Sequence, residues 1–191
     1  MPFRSFTPAS RWLLVFTLIL PAACATYQPA QSPGAAGRER IEVAFAPDAG
    51  AEALVIKVIE EATRSLRLAG YSFTSPAVVR ALLDAKKRGI DVKVLIDEKG
   101  NHGASSVAAI NLVVGAAIPT KTISAYAIHH DKYIVADGRN IETGSFNYTQ
   151  SAARRNSENV LVVWDDPATA AKYLAHWNAR WAQGVAVTQS Y

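Results

Sequence analysis

Seven polar and small residues between positions 130 and 158 have the types and spacing of a site that handles phosphate. In chain order they are His130, Lys132, Asp137, Gly144, Ser145, Asn147 and Glu158. The first three alone, in the pattern His-x-Lys-x4-Asp, would arise by chance in about one chain of this length in a hundred. The ordered residues that follow make coincidence rarer, so the set is a candidate catalytic site.

The spacing of His130 and Lys132 predicts that their side chains act together. They lie two residues apart within residues 128–136, which the alternation of apolar residues predicts to be a β-strand. Alternate residues of a strand project to one face, so the imidazole and the ammonium would form a compact cationic pair. An imidazole can attack phosphorus or transfer a proton, and an ammonium can stabilise charge on phosphate oxygens.

Other residues of the set are expected to complete or support this pair. Ser145 and Asn147, also two apart, can both donate hydrogen bonds to one phosphate. Glu158 can accept a hydrogen bond from an imidazole N–H and so support a positive charge on the ring. Asp137 has the wrong parity for the imidazole face and precedes a glycine, so it is predicted to hold a turn. Gly144 is likewise expected to have a structural role and not a chemical one.

Two other interpretations of these residues compete with a phosphate site. A histidine and a lysine on a surface strand are most often only solvated, but five positions in order reverse that expectation. A zinc site would need ligand-like spacing and cysteine partners, which the four histidines lack. Those histidines are His102, His129, His130 and His176. We therefore expect no metal and no cofactor, with His102 and His176 as surface or packing residues.

The composition is that of a globular protein with room for one folded domain. The chain has 191 residues, of which 50% are hydrophobic and 19% charged, which argues against bulk disorder. The formal net charge is +4, and loss of Arg4 and Arg11 with an N-terminal leader would leave +2. This mild positive charge permits a polyanionic partner without requiring one.

Residues 1–23 have the features of a bacterial export signal. A basic region precedes a nine-residue stretch at positions 12–20 (WLLVFTLIL), which is too short to span a bilayer as a permanent helix. We therefore expect an exported protein, either periplasmic or secreted.

The cleavage site of this leader has two interpretations. The ACA at positions 23–25 suits ordinary signal peptidase, whereas the PAAC at positions 21–24 resembles an imperfect lipoprotein box. Cys24 is therefore a candidate site for a lipid anchor. It is the only cysteine in the chain, so no intrachain disulfide can form.

The rest of the chain divides into a tether and a catalytic domain. Residues 24–40 are rich in Ala, Pro, Gly and polar residues without apolar periodicity, which is typical of a flexible linker. Residues 41–191 alternate predicted strands and helices, the pattern of an α/β domain. Predicted strands cover 41–46, 66–73, 90–97, 128–136 and 159–164. Four helices are predicted: one that begins at Asp48, one that begins at Ser75-Pro76, one over 105–113 and one over 167–183.

Several segments together resemble the phospholipase D superfamily and, within it, the Nuc-like bacterial endonucleases that carry the motif once. They are GYSFTSP from Gly70, AKKRGIDVKVLIDEKGN from Ala85, HHDKYIVADG from His129, ETGSFNYT from Glu142 and NSEN from Asn156. The resemblance covers about residues 41–181. It implies a mixed, mostly parallel central sheet flanked by helices on both faces, the phospholipase D/nuclease fold.

The resemblance also implies a metal-independent displacement at phosphorus in two steps. One histidine would form a covalent phosphohistidine, and a second would protonate the leaving oxygen and then activate water. Lys132, Ser145 and Asn147 would stabilise the phosphate oxygens. The motif occurs once and two histidines are required, so a second His130 is expected from an identical chain. The expected partner is therefore a second copy, in a twofold homodimer with a composite active site.

Two substrate classes fit this chemistry. The first expectation is a nonspecific endonuclease that hydrolyses DNA, with RNA as a further candidate. The alternative is a phospholipase D that hydrolyses phospholipid head groups, which would suit a lipid-anchored enzyme. A catalytically idle binding module is disfavoured because no catalytic position is missing.

Overall fold

Eight strands and five helices build the part of the chain that the computed structural model describes, residues 40–188. The strands are β1 Arg40–Ala46, β2 Ser65–Gly70, β3 Asp91–Asp97, β4 Thr120–Ile123, β5 Lys132–Ala136, β6 Asn140–Gly144, β7 Glu158–Trp164 and β8 Val185–Ala186. The helices are α1 Ala51–Glu61, α2 Pro76–Lys87, α3 Ala104–Gly115, α4 Gln150–Arg154 and α5 Pro167–Gln183, with a 3₁₀ helix at Lys99–Asn101. The predicted leader, Cys24 and the tether up to residue 39 lie outside the described residues.

Local signals in the sequence set the ends of several helices. The hydroxyl of Ser75 accepts a hydrogen bond from the backbone N–H of Val78 and caps α2, as predicted. Gly89 follows α2 with a φ of 87°, a left-handed conformation that glycine adopts without strain. The first helix begins at Ala51 rather than at Asp48, because Asp48 lies in the preceding turn with a φ of 56°.

The strands form one sheet in the order β1-β7-β6-β5-β2-β3-β4-β8. The predicted parallel pairing of β2 with β3 across α2 is confirmed, and β3 also pairs in parallel with β4. The prediction of a mostly parallel sheet is wrong, because five of the seven pairings in the described part of the chain are antiparallel. For the β5–β6 pair the physical reason is the short turn at residues 137–139, which leaves no room for a crossover helix.

Helices cover both faces of the sheet, as predicted. One face packs against α1, α2 and α3 and buries the larger apolar cluster, to which Ile134 of β5 belongs. The other face packs against α5, where Trp177 lies with Tyr133 and Val135 of the same strand. Alternate residues of β5 therefore enter two separate cores, as expected for a strand buried on both sides.

Among residues 40–188, no helix has both the length and the apolar character needed to cross a bilayer.

Candidate active site

The predicted site residues gather at one edge of the sheet, where β1, β2 and β6 end and β5 and β7 begin. Lys132 opens β5 opposite Gly70, the last residue of β2. Glu158 opens β7 opposite Ala46, the last residue of β1. Antiparallel pairing thus brings together residues that lie far apart in the sequence.

His130 and Lys132 lie close together, but not on one strand. The predicted strand at 128–136 is shortened because β5 begins at Lys132, so His130 lies in the preceding loop. The ammonium of Lys132 donates to the backbone carbonyl of His130 at 2.9 Å. The ring of Tyr71 lies 5.0 Å from the imidazole and 5.3 Å from the ammonium nitrogen. Tyr71, which sequence reasoning missed, therefore packs against both groups.

Lys132 is a buried cation, with only 8% of its surface exposed. Burial lowers the pKa of Lys132 from its ordinary value, while the negative charges of Glu158 and Asp131 act in the opposite direction. A partly desolvated ammonium interacts more strongly with an incoming anion than one in bulk water. Lys132 is therefore well placed to stabilise a phosphate beside the exposed His130.

Ser145 and Glu158 are joined directly. The Ser145 hydroxyl donates to Oε2 of Glu158 at 2.5 Å, and Nδ2 of Asn156 donates to Oε1 at 2.9 Å. The backbone N–H of Asn159 donates in turn to the Ser145 hydroxyl oxygen at 3.1 Å. The sequence predicts a hydrogen bond from an imidazole N–H to Glu158. Within the described residues no such bond is formed, and the His130 ring packs against Tyr71 instead. Within one chain, Glu158 therefore orients Ser145.

Asn147 follows the end of β6 in irregular backbone. Its side-chain oxygen is buried and has no hydrogen-bond partner within the described part of the chain. A buried, unpartnered amide oxygen is uncommon in native proteins and is frequent where a ligand or water is accommodated. Phosphate oxygens are acceptors, so the predicted contact of Asn147 with phosphate would use its Nδ2 donor and not this oxygen.

Gly144 and Asp137 have structural surroundings. A Cβ at Gly144 would lie 2.2 Å from the carbonyl oxygen of Asn159, so only glycine fits where β6 meets β7. The Asp137 carboxylate accepts hydrogen bonds from the backbone N–H groups of Thr63, Arg64 and Ser65 and from the Thr63 hydroxyl. Burial opposes its ionisation, but these bonds outweigh burial and hold the pKa of Asp137 below its ordinary value. Asp137 ties the β5–β6 turn to the start of β2.

An open cavity of about 450 Å³ adjoins the His130–Lys132 pair. Its lining residues are His130, Asp131, Lys132, Tyr133, Thr143, Gly144, Lys172, Tyr173 and His176. Helix α5 thus contributes a second basic side chain, Lys172, that sequence reasoning did not assign to the site. His176 is more than a surface residue, since its Nδ1 lies 2.9 Å from the Tyr133 hydroxyl.

The remaining histidines have separate surroundings. His129 is buried, its backbone N–H donates to Asp97, and its Nδ1 lies 3.3 Å from Asp131. Burial lowers the pKa of His129, against the opposing charges of Asp131 and Asp97. His102 is exposed and pairs with Glu98 at 2.7 Å. Within residues 40–188, no group of three or more potential ligands has an arrangement suited to a metal ion.

A buried carboxyl group lies on β6, two residues before Gly144. Glu142 is completely buried, and its Oε2 accepts a hydrogen bond from the Tyr148 hydroxyl at 2.9 Å. Burial raises the pKa of Glu142 to about 8, and the Tyr148 bond offsets only part of that effect. Glu142 is therefore neutral in the folded protein at pH 7 and ionised in the unfolded chain.

This difference predicts a loss of stability as pH rises. Between the ordinary pKa of 4.5 and the raised value of about 8, unfolding releases a proton from Glu142. Its contribution to the free energy of unfolding should therefore fall by about 1.4 kcal/mol per pH unit. Urea denaturation from pH 5 to 7.5 should show a weaker pH dependence for Glu142→Gln than for the wild type. Equal slopes would contradict the assignment, whatever the absolute stability of the variant.

Comparison with known proteins agrees with this geometry. Residues 55–181 match the family model described as "Cardiolipin synthase, PLD-like domain". The chain belongs to the phospholipase D superfamily. Its fold is similar to that of Nuc, a phospholipase D family member from Salmonella typhimurium, with a TM-score of 0.77 and 45% identity. That similarity covers 78% of this chain and 98% of Nuc.

Relatives in the same superfamily carry lipid-related names. A phospholipase D from Rickettsia bellii is 31% identical over 146 residues, which are 76% of this chain and 71% of that protein. A mitochondrial cardiolipin hydrolase from Xenopus tropicalis is 30% identical over 129 residues, covering 68% of this chain and 60% of that protein. Membership in the superfamily makes this chain a hydrolase of the phosphodiesterase class.

Proposed function

We propose that this phospholipase D superfamily member is a metal-independent, nonspecific endonuclease that hydrolyses DNA, with RNA as a further candidate substrate. The observation that carries the proposal is the exposed His130 beside the buried Lys132 at an open edge of the sheet. The cavity beside these two residues is open to solvent, and no element within residues 40–188 closes over it, so a polymer can enter. The 45% identity to Nuc across nearly the whole of that protein adds support.

The chemistry proceeds by two displacements at phosphorus. An imidazole nitrogen of His130 attacks phosphorus, the bond to the leaving oxygen breaks, and a second imidazolium donates its proton to that oxygen. The second imidazole, now neutral, takes a proton from water. This water attacks the phosphohistidine, the P–N bond breaks and His130 is regenerated. Lys132 and Asn147, with Ser145 oriented by Glu158, stabilise the charge on the non-bridging oxygens.

The second imidazole comes from another copy of the chain in a twofold homodimer. His129 is buried, and His102 pairs with Glu98 on the loop after β3. His176 lines the same cavity, but its Nδ1 lies within hydrogen-bond distance of the Tyr133 hydroxyl. A partner's His130, brought to the same edge by a twofold axis, would have Lys132 and Tyr71 beside it, as in this chain.

The second candidate is a phospholipase D that hydrolyses phospholipid head groups. The names of the Rickettsia and Xenopus relatives favour it, at about 30% identity in each case. Both reactions break a phosphodiester bond and use the same side chains, so the catalytic residues do not separate them. Nucleic acid is preferred here because the chain is more similar to Nuc and because Lys172 adds a second positive charge to the cavity.

We also propose that the enzyme acts outside the cytoplasm, in the periplasm or as a secreted protein. The proposal is based on the export-type leader at residues 1–23 and includes lipid attachment at Cys24 as one form. A lipid-anchored form would place the catalytic domain near a membrane surface.

The substrate experiment offers plasmid DNA and phosphatidylcholine vesicles in parallel to the purified protein in excess EDTA. We expect nicked and linear DNA without release of choline, and no loss of rate on chelation, because the proposed chemistry uses protein side chains and no metal ion. Choline release without DNA cleavage would establish the alternative. Activity that disappears in EDTA and returns with a divalent cation would refute the metal-independent mechanism.

A further inference from the structure

Helix α5 carries basic side chains and no acidic ones. It spans Pro167–Gln183 and contains Lys172, His176 and Arg180, with no aspartate or glutamate. These three residues are four apart, so they follow one another along one face of the helix with a rise of about 6 Å from each to the next. Basic residues clustered along one face of a helix are the electrostatic footprint of a site for a polyanion. We call these three side chains the α5 basic row.

The α5 basic row begins in the active-site cavity and extends beyond it. Lys172 and His176 line the cavity together with His130. One helical turn further along, the guanidinium carbon of Arg180 lies 4.7 Å from the ring centre of Tyr126, a residue of the loop that leads to His130. The rise along α5 from Lys172 to Arg180 is about 12 Å, a length that one phosphodiester group does not span. The row therefore offers positive charge to more than one phosphate.

The two permanent charges of the row are available to a ligand. Within residues 40–188, neither the ammonium of Lys172 nor the guanidinium of Arg180 forms a hydrogen bond or an ion pair. Arg180 is nevertheless held in place, because it packs on the Tyr126 ring, and the Tyr126 hydroxyl donates to Oε1 of Gln183 at 2.9 Å. A planar guanidinium that is fixed by an aromatic ring and keeps its N–H donors free is suited to phosphate oxygens.

The carboxylate in the cavity is directed toward histidines. Asp131 is the only acidic residue among the described side chains that line this cavity. Its Oδ2 lies 3.3 Å from Nδ1 of His129 and 3.8 Å from Nδ1 of His176. The middle member of the row is therefore engaged within the protein, and the charges that can meet a bound polyanion are those of Lys172 and Arg180.

We propose that Lys172 and Arg180 bind phosphates that flank the cleaved phosphodiester of a nucleic acid strand. This inference rests on the proposed nuclease function and assigns the path of the polymer along α5. Separate positive charges at His130–Lys132, Lys172 and Arg180 match a chain of regularly spaced phosphates, whereas a phosphatidylcholine head group has one. Phosphate contacts position a nucleic acid without reading its sequence, which agrees with nonspecific cleavage.

The test removes each charge and compares a polymer with a single phosphodiester. Lys172→Gln and Arg180→Gln are assayed on a labelled DNA oligonucleotide and on bis(p-nitrophenyl) phosphate. Each change should raise KM and lower kcat/KM by on the order of tenfold on the oligonucleotide, and by much less on the small substrate, which has no flanking phosphate. The slope of log kcat/KM against log salt concentration should become shallower by about one for each contact removed. Lys172→Arg and Arg180→Lys should restore most of the loss, because they keep the charge.

The matched control is Lys87→Gln on α2. The Lys87 side chain is 77% exposed on the opposite face of the sheet, where it pairs with Asp84. Its loss should leave both reactions and the salt slope unchanged. Sedimentation should give the same mass for every variant as for the wild type. A changed mass for Lys172→Gln or Arg180→Gln would show that these residues act on assembly and would overturn the proposal.

Binding without turnover gives an independent readout. In the His130→Ala background, fluorescence anisotropy should show an affinity for the labelled oligonucleotide that falls by on the order of tenfold with Lys172→Gln or Arg180→Gln and is unchanged with Lys87→Gln. Equal losses on the two substrates, or no loss on the oligonucleotide, would overturn the α5 path and leave the proposed nuclease function intact. A wild-type protein that hydrolyses phosphatidylcholine and not DNA would overturn both.

Discussion

Replacing His130 with alanine is expected to lower the rate of phosphodiester cleavage by on the order of 10⁴-fold or more. The imidazole is the proposed nucleophile in one chain and the proposed acid in its partner, so the change removes both groups from every composite site. Cleavage of a fluorescent DNA duplex under single-turnover conditions measures the effect. No phosphorylated enzyme should accumulate, because the nitrogen that would carry the phosphoryl group is missing.

The same variant should keep its fold. His130 is exposed and lies in a loop, so its loss should change the free energy of unfolding by only about 0.5 kcal/mol. His102→Ala is the matched control, since it removes another exposed imidazole, one paired with Glu98 outside the site. Retention of a tenth of the wild-type rate by His130→Ala would contradict the nucleophilic assignment. A comparable loss in His102→Ala would contradict the location of the site.

Mixed dimers of wild-type and His130→Ala chains are expected to be almost inactive. One imidazole is consumed in forming phosphohistidine, and departure of the leaving oxygen needs a proton from another. In a fully exchanged equal mixture, about a quarter of the dimers should contain two wild-type chains, so activity should fall to about a quarter rather than a half. The measurement is total cleavage activity as a function of the wild-type fraction at constant total chain concentration.

A second substitution identifies the source of the proton if activity in the mixture does not fall to about a quarter. Activity that tracks the wild-type fraction linearly would exclude a composite site. His176→Ala then becomes the informative variant, because His176 is another imidazole in the cavity that contains His130. In the composite mechanism, His176→Ala should retain the same quadratic dependence on mixing, since its imidazole is bonded to Tyr133 rather than used in the reaction.

Several elements of the fold follow from local sequence alone. The Ser75-Pro76 cap, the parallel β2–β3 pair and the closing helix at 167–183 were predicted because capping, hydrophobic periodicity and helix stops act over a few residues. The strands β4, β6 and β8 and the short helix α4 were not predicted. Each has five residues or fewer, which is too short for periodicity to be recognised.

The mostly parallel sheet was the main error, and its cause is nonlocal. The turn at Asp137-Gly138 was recognised as a turn, but not as the link of a hairpin between β5 and β6. The other neighbour of β5 is β2, which lies far away in the sequence, and Ile134 and Tyr133 of β5 enter two different cores. The choice of that neighbour is made by the assembled sheet, and no short segment encodes it.

The sequence by itself determined which residues are candidates for the chemistry: the order of His130, Lys132, Ser145, Asn147 and Glu158 predicts a phosphate site. Only the tertiary structure decided how they are arranged. It brings Tyr71 against His130 and Lys132, directs Glu158 to Ser145, and adds Lys172 and His176 from α5 to the cavity. The physical reason is that residue type and spacing record chemical capacity and local geometry. Burial and contact depend on strands and helices far apart in the chain, which meet only in the folded protein.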